Sequence, residues 1–393
     1  MARPHLSLAL PPFSAPLSAF SAFSALLRVF PSHRLPAYRN GSVMSPASRG
    51  PSRRLLLAGA LAAVSAAVTG CSSDSEAASS GGSKRLRIGY FAFPSGDLIV
   101  KNRKLLEKAL PDHKISWIKF DSGASVNQAF LGKSLDIAAL GSSPFARGVS
   151  GSSPIPYKVA WILDVAGENE ALVARKSTGV TDVAGLRGRK IATPFASTSH
   201  YSLLAALEAA GLKPSDVQLI DLQPQPILAA WQRGDIDAAY VWLPTLDELR
   251  ATGTQLTSSK EIGAAGKPTL DLAVVSDDLI ARDPAAIDAW RTAEAEALRL
   301  LKSDPDGSVK AVAAELGISA ADAAAQLKQG VFLTPEQVVS ADWLGTEGSP
   351  GKLLTYVSDT AAFLAEQKQI DAVPSQDAVR RAFYSKGLSD VLR

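Results

Sequence analysis

The sequence predicts an α/β protein of two lobes, each a mixed sheet flanked by helices. From about Lys84 onward, short apolar runs typical of strands alternate with longer stretches that have helical periodicity. This alternation is typical of parallel or mixed sheets with helices on both faces. The chain has 393 residues, 46% of them hydrophobic, which is enough for two cores of ordinary size.

The predicted elements follow one another in a regular order. Strands are predicted at 86–90, 115–120, 137–140, 158–163, 171–174, 190–192 and 238–241. Helices are predicted at 97–110, 125–131, after Pro144, and at 203–210, 284–301 and 306–316. In sheets of this kind ligands bind beyond the carboxyl ends of strands, where loops lead into helices.

Two interruptions of this order divide the folded part into lobes. Ser-Thr-Gly breaks the pattern within 176–182, and a second crossing is indicated near 271–275, before the chain becomes strongly helical. The first lobe is therefore predicted to start with 84–176 and to be completed by 273–393. The second lobe is predicted to consist of 177–272.

Residues 1–70 have the composition of an export leader. They contain seven Arg and no Lys, Asp or Glu, and removing these seven charges takes the formal net charge from +3 to −4. The basic excess therefore belongs to the leader, and no nucleic-acid partner is expected. An apolar run at 55–69 follows Arg53 and Arg54 and is too short for a membrane-spanning helix. Met44 is predicted as the true start.

Cys71 directly follows this apolar run and is the only cysteine, so no disulfide or thiolate metal site within the chain is expected. Residues 68–71 resemble the lipobox of bacterial lipoproteins, which implies lipidation of Cys71 and anchoring at the outer face of the cytoplasmic membrane. Residues 71–83 are then predicted to form a flexible tether. Residues 52–57 resemble a twin-arginine signal, and the general secretory route stays open.

Three hydroxyl-rich segments follow predicted strands. The first, 193–202, places Ser197, Thr198 and Ser199 at the start of an apolar helix, where free N–H groups and the helix dipole favour an anion. The alternative is ordinary N-capping, for which one hydroxyl suffices. The second segment contains Ser142 and Ser143 at 140–144, and the third, 120–125, contains Ser122. Together they predict a cradle for an oxyanion.

Several segments resemble, in fixed order, the solute-binding proteins of ABC importers for taurine, aliphatic sulfonates and nitrate. These are 120–125, 140–144, 170–173, 197–207, 229–237, 240–242 and 268–271. The resemblance implies a type II periplasmic-binding-protein fold with the ligand in the cleft. It also implies no enzymatic activity, no cofactor or metal, and an ABC permease with its ATPase subunits as partners. The loop at 91–95 departs from the polar loop expected for the family.

Taurine is the leading ligand candidate under this resemblance, with other small sulfonates next. A taurine site needs donors for a sulfonate, acceptors for an ammonium and a wall for two methylene groups. Glu170 and Asp271 are the candidates for the ammonium, and Trp242 for the wall. The candidates around the sulfonate are Ser122, Ser142, Ser143, Thr193, Ser197, Thr198, Ser199, His200 and Tyr201. Hinge salt bridges or capping for the carboxylates, and core packing for Trp242, remain alternatives.

Two competing hypotheses are open. An enzyme is disfavoured because only His113 and His200 follow the leader and no HExxH, GxGxxG or GxSxG motif occurs, although a relative of this fold makes a pyrimidine precursor. Within transport, aliphatic sulfonates, sulfate esters, nitrate or a thiamine precursor are alternatives. Carboxylates that face the cleft would favour an aminosulfonate over a simple anion.

Overall fold

Two five-stranded sheets organise residues 84–392, the part of the chain that our computed structural model describes. The leader, the Met44 start, Cys71 and the tether lie outside the described residues. The strands are β1 (Lys84–Phe91), β2 (His113–Phe120), β3 (Ile137–Gly141), β4 (Tyr157–Val165), β5 (Glu170–Arg175), β6 (Lys190–Thr193), β7 (Gln218–Asp221), β8 (Ala238–Trp242), β9 (Gly253–Ser258), β10 (Leu270–Ser276), β11 (Gly345–Thr346) and β12 (Ser349–Pro350).

Helices cover the sheets. They are α1 (Gly96–Arg103), α2 (Leu105–Ala109), α3 (Gly123–Leu131), α4 (Ser142–Gly148), α5 (Thr198–Ala209), α6 (Pro224–Arg233), α7 (Thr245–Thr252), α8 (Ser259–Ala264), α9 (Asp277–Arg282), α10 (Pro284–Ser303), α11 (Pro305–Leu316), α12 (Ala320–Leu327), α13 (Pro335–Val338), α14 (Leu353–Glu366) and α15 (Gln376–Arg381). In the part of the chain described, no helix combines the length and apolar character that crossing a bilayer requires.

Both sheets are mixed. The first has the order β2-β1-β3-β10-β4, with β1 parallel to β2 and β3, and β10 antiparallel to β3 and β4. The second has the order β7-β6-β8-β5-β9, with β6 parallel to β7 and β8, and β5 antiparallel to β8 and β9. Strand β3 is buried throughout, as expected for a continuous apolar strand covered on both faces.

The predicted lobe boundary at 176 is wrong, because β5 already belongs to the second sheet. The chain crosses between lobes at 166–169, directly after β4. The Ser-Thr-Gly segment is instead part of a single 3-10 turn, Lys176–Thr178, that ends at Gly179 in the left-handed conformation. The return to the first sheet starts with Leu270, three residues before the predicted position.

Hydrogen bonds between backbone groups hold the crossing segment in place. The N–H of Ala166 donates to the carbonyl of Thr269 at 3.0 Å, and the N–H of Glu168 donates to Gln329 at 2.9 Å. The carbonyl of Asn169 accepts from the N–H of Leu243 at 3.0 Å. The two passages between the lobes therefore lie side by side, as in a double-stranded hinge.

Two predicted helices differ in extent from the observed ones. The predicted helix 97–110 is split at Lys104, which has a φ of 54° and so interrupts the helical path. Helix α5 starts at Thr198 instead of residue 203, because the Ser197 hydroxyl accepts the N–H of His200 at 3.1 Å and caps it. The hydroxyl residues therefore occupy the first turn of this helix.

Candidate ligand-binding cleft

A small cavity lies between the two lobes, at the ends of their strands. The first lobe contributes Phe91, Phe93, Ser122, Gly123, Gly141, Pro144 and Asp271. The second lobe contributes Glu170, Ser197, Thr198, Trp242 and Leu243, and the crossing segment contributes Ala166 and Asn169. The cavity therefore lies beyond the carboxyl ends of β1, β2, β3, β6 and β8, which is where ligands are expected in sheets of this kind.

The two lobes approach closely at one edge of the cavity. A Cβ atom added to Gly141 would lie 2.8 Å from Cγ2 of Thr198, which is closer than side-chain atoms normally come. Tyr201 of α5 also packs edge-on against Phe363 of α14, with ring centroids 4.9 Å apart. A glycine at 141 thus allows the start of α5 to lie directly against the first sheet.

Glu170 is the acceptor of three hydroxyl groups. One carboxylate oxygen, Oε2, accepts from Thr198 at 2.6 Å and from Ser199 at 2.8 Å, and Oε1 accepts from Ser259 at 2.6 Å. The residue is 3% exposed. Burial raises its pKa, and the hydroxyl donors oppose that effect. The three hydroxyl groups thus hold this carboxyl group in one orientation and stabilise its charged form.

Asp271 faces the cavity from the first lobe, where it lies opposite Asp164 in the antiparallel pairing of β10 with β4. Burial, together with the negative charges of Glu170 and Asp97, raises the pKa of Asp271 to about 7. Its hydrogen bond with Asp164 acts in the opposite direction. Asp164 is fully buried, and burial and then the charge of Asp271 raise its pKa well above the usual range. This end of the cavity therefore favours a cation.

Aromatic side chains form the wall between these groups. Phe91 at the end of β1 and Phe93 in the loop that follows both reach the cavity, and their ring centroids are 6.4 Å apart. Trp242 lies opposite Glu170 in the pairing of β5 with β8. The sequence did not identify either phenylalanine as a site residue, although the departure of residues 91–95 from the polar loop expected for the family was the signal that could have revealed them. The wall suits a short aliphatic segment.

Two helix N-termini supply donors at the cavity. Ser122 caps α3 by accepting the N–H of Ser125 at 3.3 Å, and Ser197 caps α5. Both capping serines line the cavity. Because N–H groups in the first turn of a helix have no acceptor within it, the starts of α3 and α5 offer backbone donors and positive dipole ends to an anion.

The structure brings six of the twelve predicted ligand residues to the cavity wall and places the other six elsewhere. The six that line it are Ser122, Glu170, Ser197, Thr198, Trp242 and Asp271. The six that do not are Ser142, Ser143, Thr193, Ser199, His200 and Tyr201.

The predicted residues that do not line the cavity have other roles in the fold. Ser142 accepts the N–H of Leu270 at 3.1 Å, and the Ser199 hydroxyl is committed to Glu170. His200 stacks on Phe195 with centroids 4.5 Å apart, and burial and then the charge of Arg147 lower its pKa to about 4. It is thus a neutral packing residue at physiological pH.

The three remaining predicted residues outside the cavity wall are buried as well. Ser143 and Thr193 are at most 1% exposed, and their hydroxyls have no hydrogen-bond partner among the described residues. Burial raises the pKa of Tyr201 to about 12, consistent with its packing on Phe363. None of them therefore presents a group to the cavity.

No group of three or more His, Cys, Asp or Glu side chains within residues 84–392 is arranged to hold a metal ion.

Comparison with known proteins places the chain among solute-binding proteins. Residues 157–308 match the family model described as NMT1/THI5 like. The taurine-binding periplasmic protein of Escherichia coli is 38% identical over 265 residues, which cover 66% of this chain and 79% of that protein.

Solved structures share the fold. The alkanesulfonate-binding protein SsuA from Xanthomonas axonopodis pv. citri, bound to MOPS, has a TM-score of 0.62 and 24% identity, covering 76% of this chain and 98% of that chain. A mutant of the desulfurization enzyme DSZB, in complex with biphenyl-2-sulfinic acid, has a TM-score of 0.58 and 18% identity, covering 79% of this chain and 99% of that chain. The predicted two-lobed type II periplasmic-binding-protein fold is confirmed by this likeness.

Proposed function

Because this chain belongs to the family of the periplasmic taurine-binding proteins, we propose that it captures taurine, or a closely related aminosulfonate, in the cleft between its lobes. The proposal includes delivery of the ligand to an ABC permease and its ATPase subunits. One observation carries it: two carboxyl groups, Glu170 and Asp271, line a small cavity that is also bordered by two helix N-termini. That combination matches a zwitterion, with a cationic and an anionic end.

In the proposed complex the ammonium lies between Glu170 and Asp271, and the sulfonate lies at the N-termini of α3 and α5. The two methylene groups contact the wall formed by Phe91, Phe93 and Trp242. A micromolar dissociation constant corresponds to about −8 kcal/mol. Because hydrogen bonds to charged groups contribute roughly 1.5–3 kcal/mol each, several must act together to reach this value after the cost of ordering.

The hydroxyl groups of Thr198 and Ser199 have a different role in this proposal from the one first expected. Since both donate to Glu170, they are not the main sulfonate donors. The sulfonate instead meets backbone N–H groups of the first helical turns, with Ser122 and Ser197 beside them. The hydroxyl cluster then serves the ammonium end by orienting Glu170.

A second candidate is an alkanesulfonate without an amine. The aromatic wall favours it, because Phe91, Phe93 and Trp242 would contact any short alkyl chain. The two carboxyl groups disfavour it, since they offer nothing to a simple anion and repel it. Sulfate and nitrate are disfavoured for the same reason, and they lack an alkyl chain as well.

Titration calorimetry of the purified protein with taurine, ethanesulfonate, sulfate and nitrate tests the proposal. We expect taurine to bind at least about tenfold more tightly than ethanesulfonate, as one charge-assisted hydrogen bond would provide. In Glu170→Gln this preference should disappear while ethanesulfonate binding remains. Ser143→Ala, which removes a buried hydroxyl away from the cavity wall, is the matched control. Equal binding of taurine and ethanesulfonate by the wild type would contradict the zwitterion model.

We also propose that the protein is exported and anchored by lipid at Cys71 to the outer face of the cytoplasmic membrane. The relative from Escherichia coli is named a periplasmic protein, and the lipobox-like residues before Cys71 support the anchor. Metabolic labelling with a radioactive fatty acid should mark the wild type but not Cys71→Ala. Equal labelling of both would exclude lipidation at this residue.

A further inference from the structure

Five carboxyl groups form a continuous acidic array from the cavity into the core of the first lobe. Glu170 and Asp271 line the cavity, and Asp164 lies opposite Asp271 on the neighbouring strand. Asp97 raises the pKa of both aspartates through its charge, and Glu294 lies beside Gly96, the residue before Asp97. Four of the five are at most 4% exposed, Asp271 being the exception. Burying several acids without paired bases is costly, so this arrangement requires an explanation.

The centre of the array is the pair Asp164 and Asp271, which occupy opposite positions on β4 and β10. Directly opposite residues on antiparallel strands project from the same face of the sheet with Cβ atoms about 5 Å apart, so the two carboxyl groups can reach each other. No donor from the described residues reaches either carboxyl oxygen of Asp164. Two ionised carboxylates are both acceptors, so a hydrogen bond between them needs a proton on one of the two.

The surroundings decide which partner holds the proton. Asp164 is 0% exposed, whereas Asp271 lines the cavity and can meet water or a ligand. Asp164 also experiences the negative charges of Asp271, Asp97 and Glu170. The charged form is therefore less favourable at Asp164 than at Asp271.

We propose that Asp164 is a positioning residue that keeps its proton and donates a hydrogen bond to Asp271, which holds the Asp271 carboxylate toward the ammonium group of the ligand. The identity of the ligand rests on the function proposed above. The carboxyl pair itself can be tested without any ligand.

Proton release should accompany capture of a cationic ligand. The groups that face Asp271 are Asp164 on β4, Glu170 on β5 and Asp97 at the start of α1, and all three are acids. Behind Asp97 lie the acid Glu294 on α10 and one base, Lys101. An arriving ammonium would relieve the repulsion at Asp271, so that a protonated Asp271 releases its proton to the solvent on binding. An anion without an amine would not have this effect.

The ligand-free test is carbon-13 NMR of the purified protein labelled at aspartate carboxyl groups, with signals assigned by Asp164→Asn and Asp271→Asn. We expect the Asp164 signal to remain that of a protonated acid from about pH 5 to about pH 8, while Asp271 ionises within this range. In Asp164→Leu, which removes the donor, Asp271 should ionise about one pH unit higher or more. Asp164→Asn keeps a neutral donor and should restore the wild-type midpoint.

The ligand test measures protons released in calorimetric titrations at pH 7 in buffers of different ionisation enthalpy. Taurine should release a fraction of a proton on binding, and ethanesulfonate should release none. Asp164→Leu should weaken taurine binding about tenfold at pH 7, with recovery at higher pH, and leave ethanesulfonate binding unchanged.

The two sets of results separate this inference from the proposed function. An Asp164 that is ionised at pH 7 in the wild type, or Asn and Leu variants that shift Asp271 equally, would overturn the positioning role even if taurine binds. Conversely, the predicted carboxyl titrations together with no taurine preference would leave the positioning role standing and reject the aminosulfonate ligand. If Asp164→Leu does not fold, the spectra of the wild type and of Asp164→Asn decide the question.

Discussion

Glu170 and Asp271 approach the same cavity from different lobes, but the protein holds them in different ways. Glu170 accepts three hydroxyl hydrogen bonds from α5 and α8. Asp271 instead lies opposite Asp164 in the first sheet and is surrounded by other acids. Neutral hydrogen-bond donors around a carboxylate stabilise its charged form and lower its pKa, whereas the negative charges of neighbouring acids raise its pKa. The second lobe therefore provides Glu170, a carboxyl group held in one orientation by hydroxyl donors. The first lobe provides Asp271, a carboxyl group whose ionisation depends on the pH and on the charge of the ligand.

The largest expected effect comes from removing the acceptor at Glu170. Glu170→Leu should reduce the free energy of unfolding by about 2–4 kcal/mol, because it leaves the buried hydroxyls of Thr198, Ser199 and Ser259 without their shared partner. Chemical denaturation measures this directly. Asp271→Leu, the matched change in the other lobe, should cost clearly less, since it removes an acid from an acidic array and leaves only the Asp164 carboxyl group without a partner. Similar losses in both variants would contradict the comparison.

The next effect is a dependence of stability on pH that is specific to Asp271. Its pKa is raised in the folded protein to about 7 from an ordinary value of 3.8, so the folded state binds this proton more tightly than the unfolded state. The contribution to stability is full below about pH 4, is lost as the pH rises toward 7, and is constant above. Asp271→Asn should therefore gain stability over the wild type progressively between pH 4 and 7, as measured by thermal unfolding without ligand.

Asp283 offers a control of opposite sign for that experiment. Burial alone would raise its pKa, but hydrogen bonds from His113 and Lys84 outweigh this and lower it. Its contribution is thus present above the ordinary value of 3.8 and lost at lower pH. Asp283→Asn should be less stable than the wild type at neutral pH, with the difference shrinking in acid. A shared sign for the two variants would refute the assignment at Asp271.

A smaller effect is expected from single hydroxyls around Glu170. Thr198→Val and Ser259→Ala each remove one donor, so the pKa of Glu170 should rise and taurine affinity should fall about three- to tenfold at pH 7. Binding of ethanesulfonate should change less, because it has no ammonium. Calorimetry of both ligands measures the difference, with Ser143→Ala as the control. A larger loss for ethanesulfonate would mean that these hydroxyls bind the sulfonate after all.

The smallest effect concerns the wall that both carboxyl groups share. Phe93→Leu should weaken taurine and ethanesulfonate by similar factors of about two to five, because both lose the same apolar contact. The ratio of the two dissociation constants is the quantity to measure. A change in that ratio would show that Phe93 takes part in recognising the ammonium.

The part of the site that could be predicted consists of side chains whose position depends on neighbouring residues in the sequence. Ser122 and Ser197 stand where a strand gives way to a helix, and such positions show in one sequence as capping and strand-end patterns. Ser199 and Ser142 also belong to hydroxyl-rich segments that follow strands, yet the Ser199 hydroxyl donates to Glu170 and the Ser142 hydroxyl accepts from the backbone of Leu270. Which way a hydroxyl turns depends on partners that are distant in sequence.

Asp164 could not be predicted for a related reason. It lies near the end of β4, which the sequence indicated only as an apolar strand at 158–163. Its importance comes from the strand register that places it opposite Asp271. Registers between strands distant in the chain depend on tertiary packing. The lobe boundary was missed for the same cause, since the pairing of β5 with β8 determines the sheet to which β5 belongs.

The crossing segment 166–169 is both the link between the lobes and part of the cavity wall, through Ala166 and Asn169. A bound molecule in this cavity would therefore sit beside the two passages that join the lobes. In two-lobed proteins that close around a ligand, such passages act as the hinge, and a small displacement there becomes a larger movement at the distant rims of the lobes. Under the proposed function, a ligand as small as taurine would thereby change the outer surface that the permease contacts without touching that surface itself.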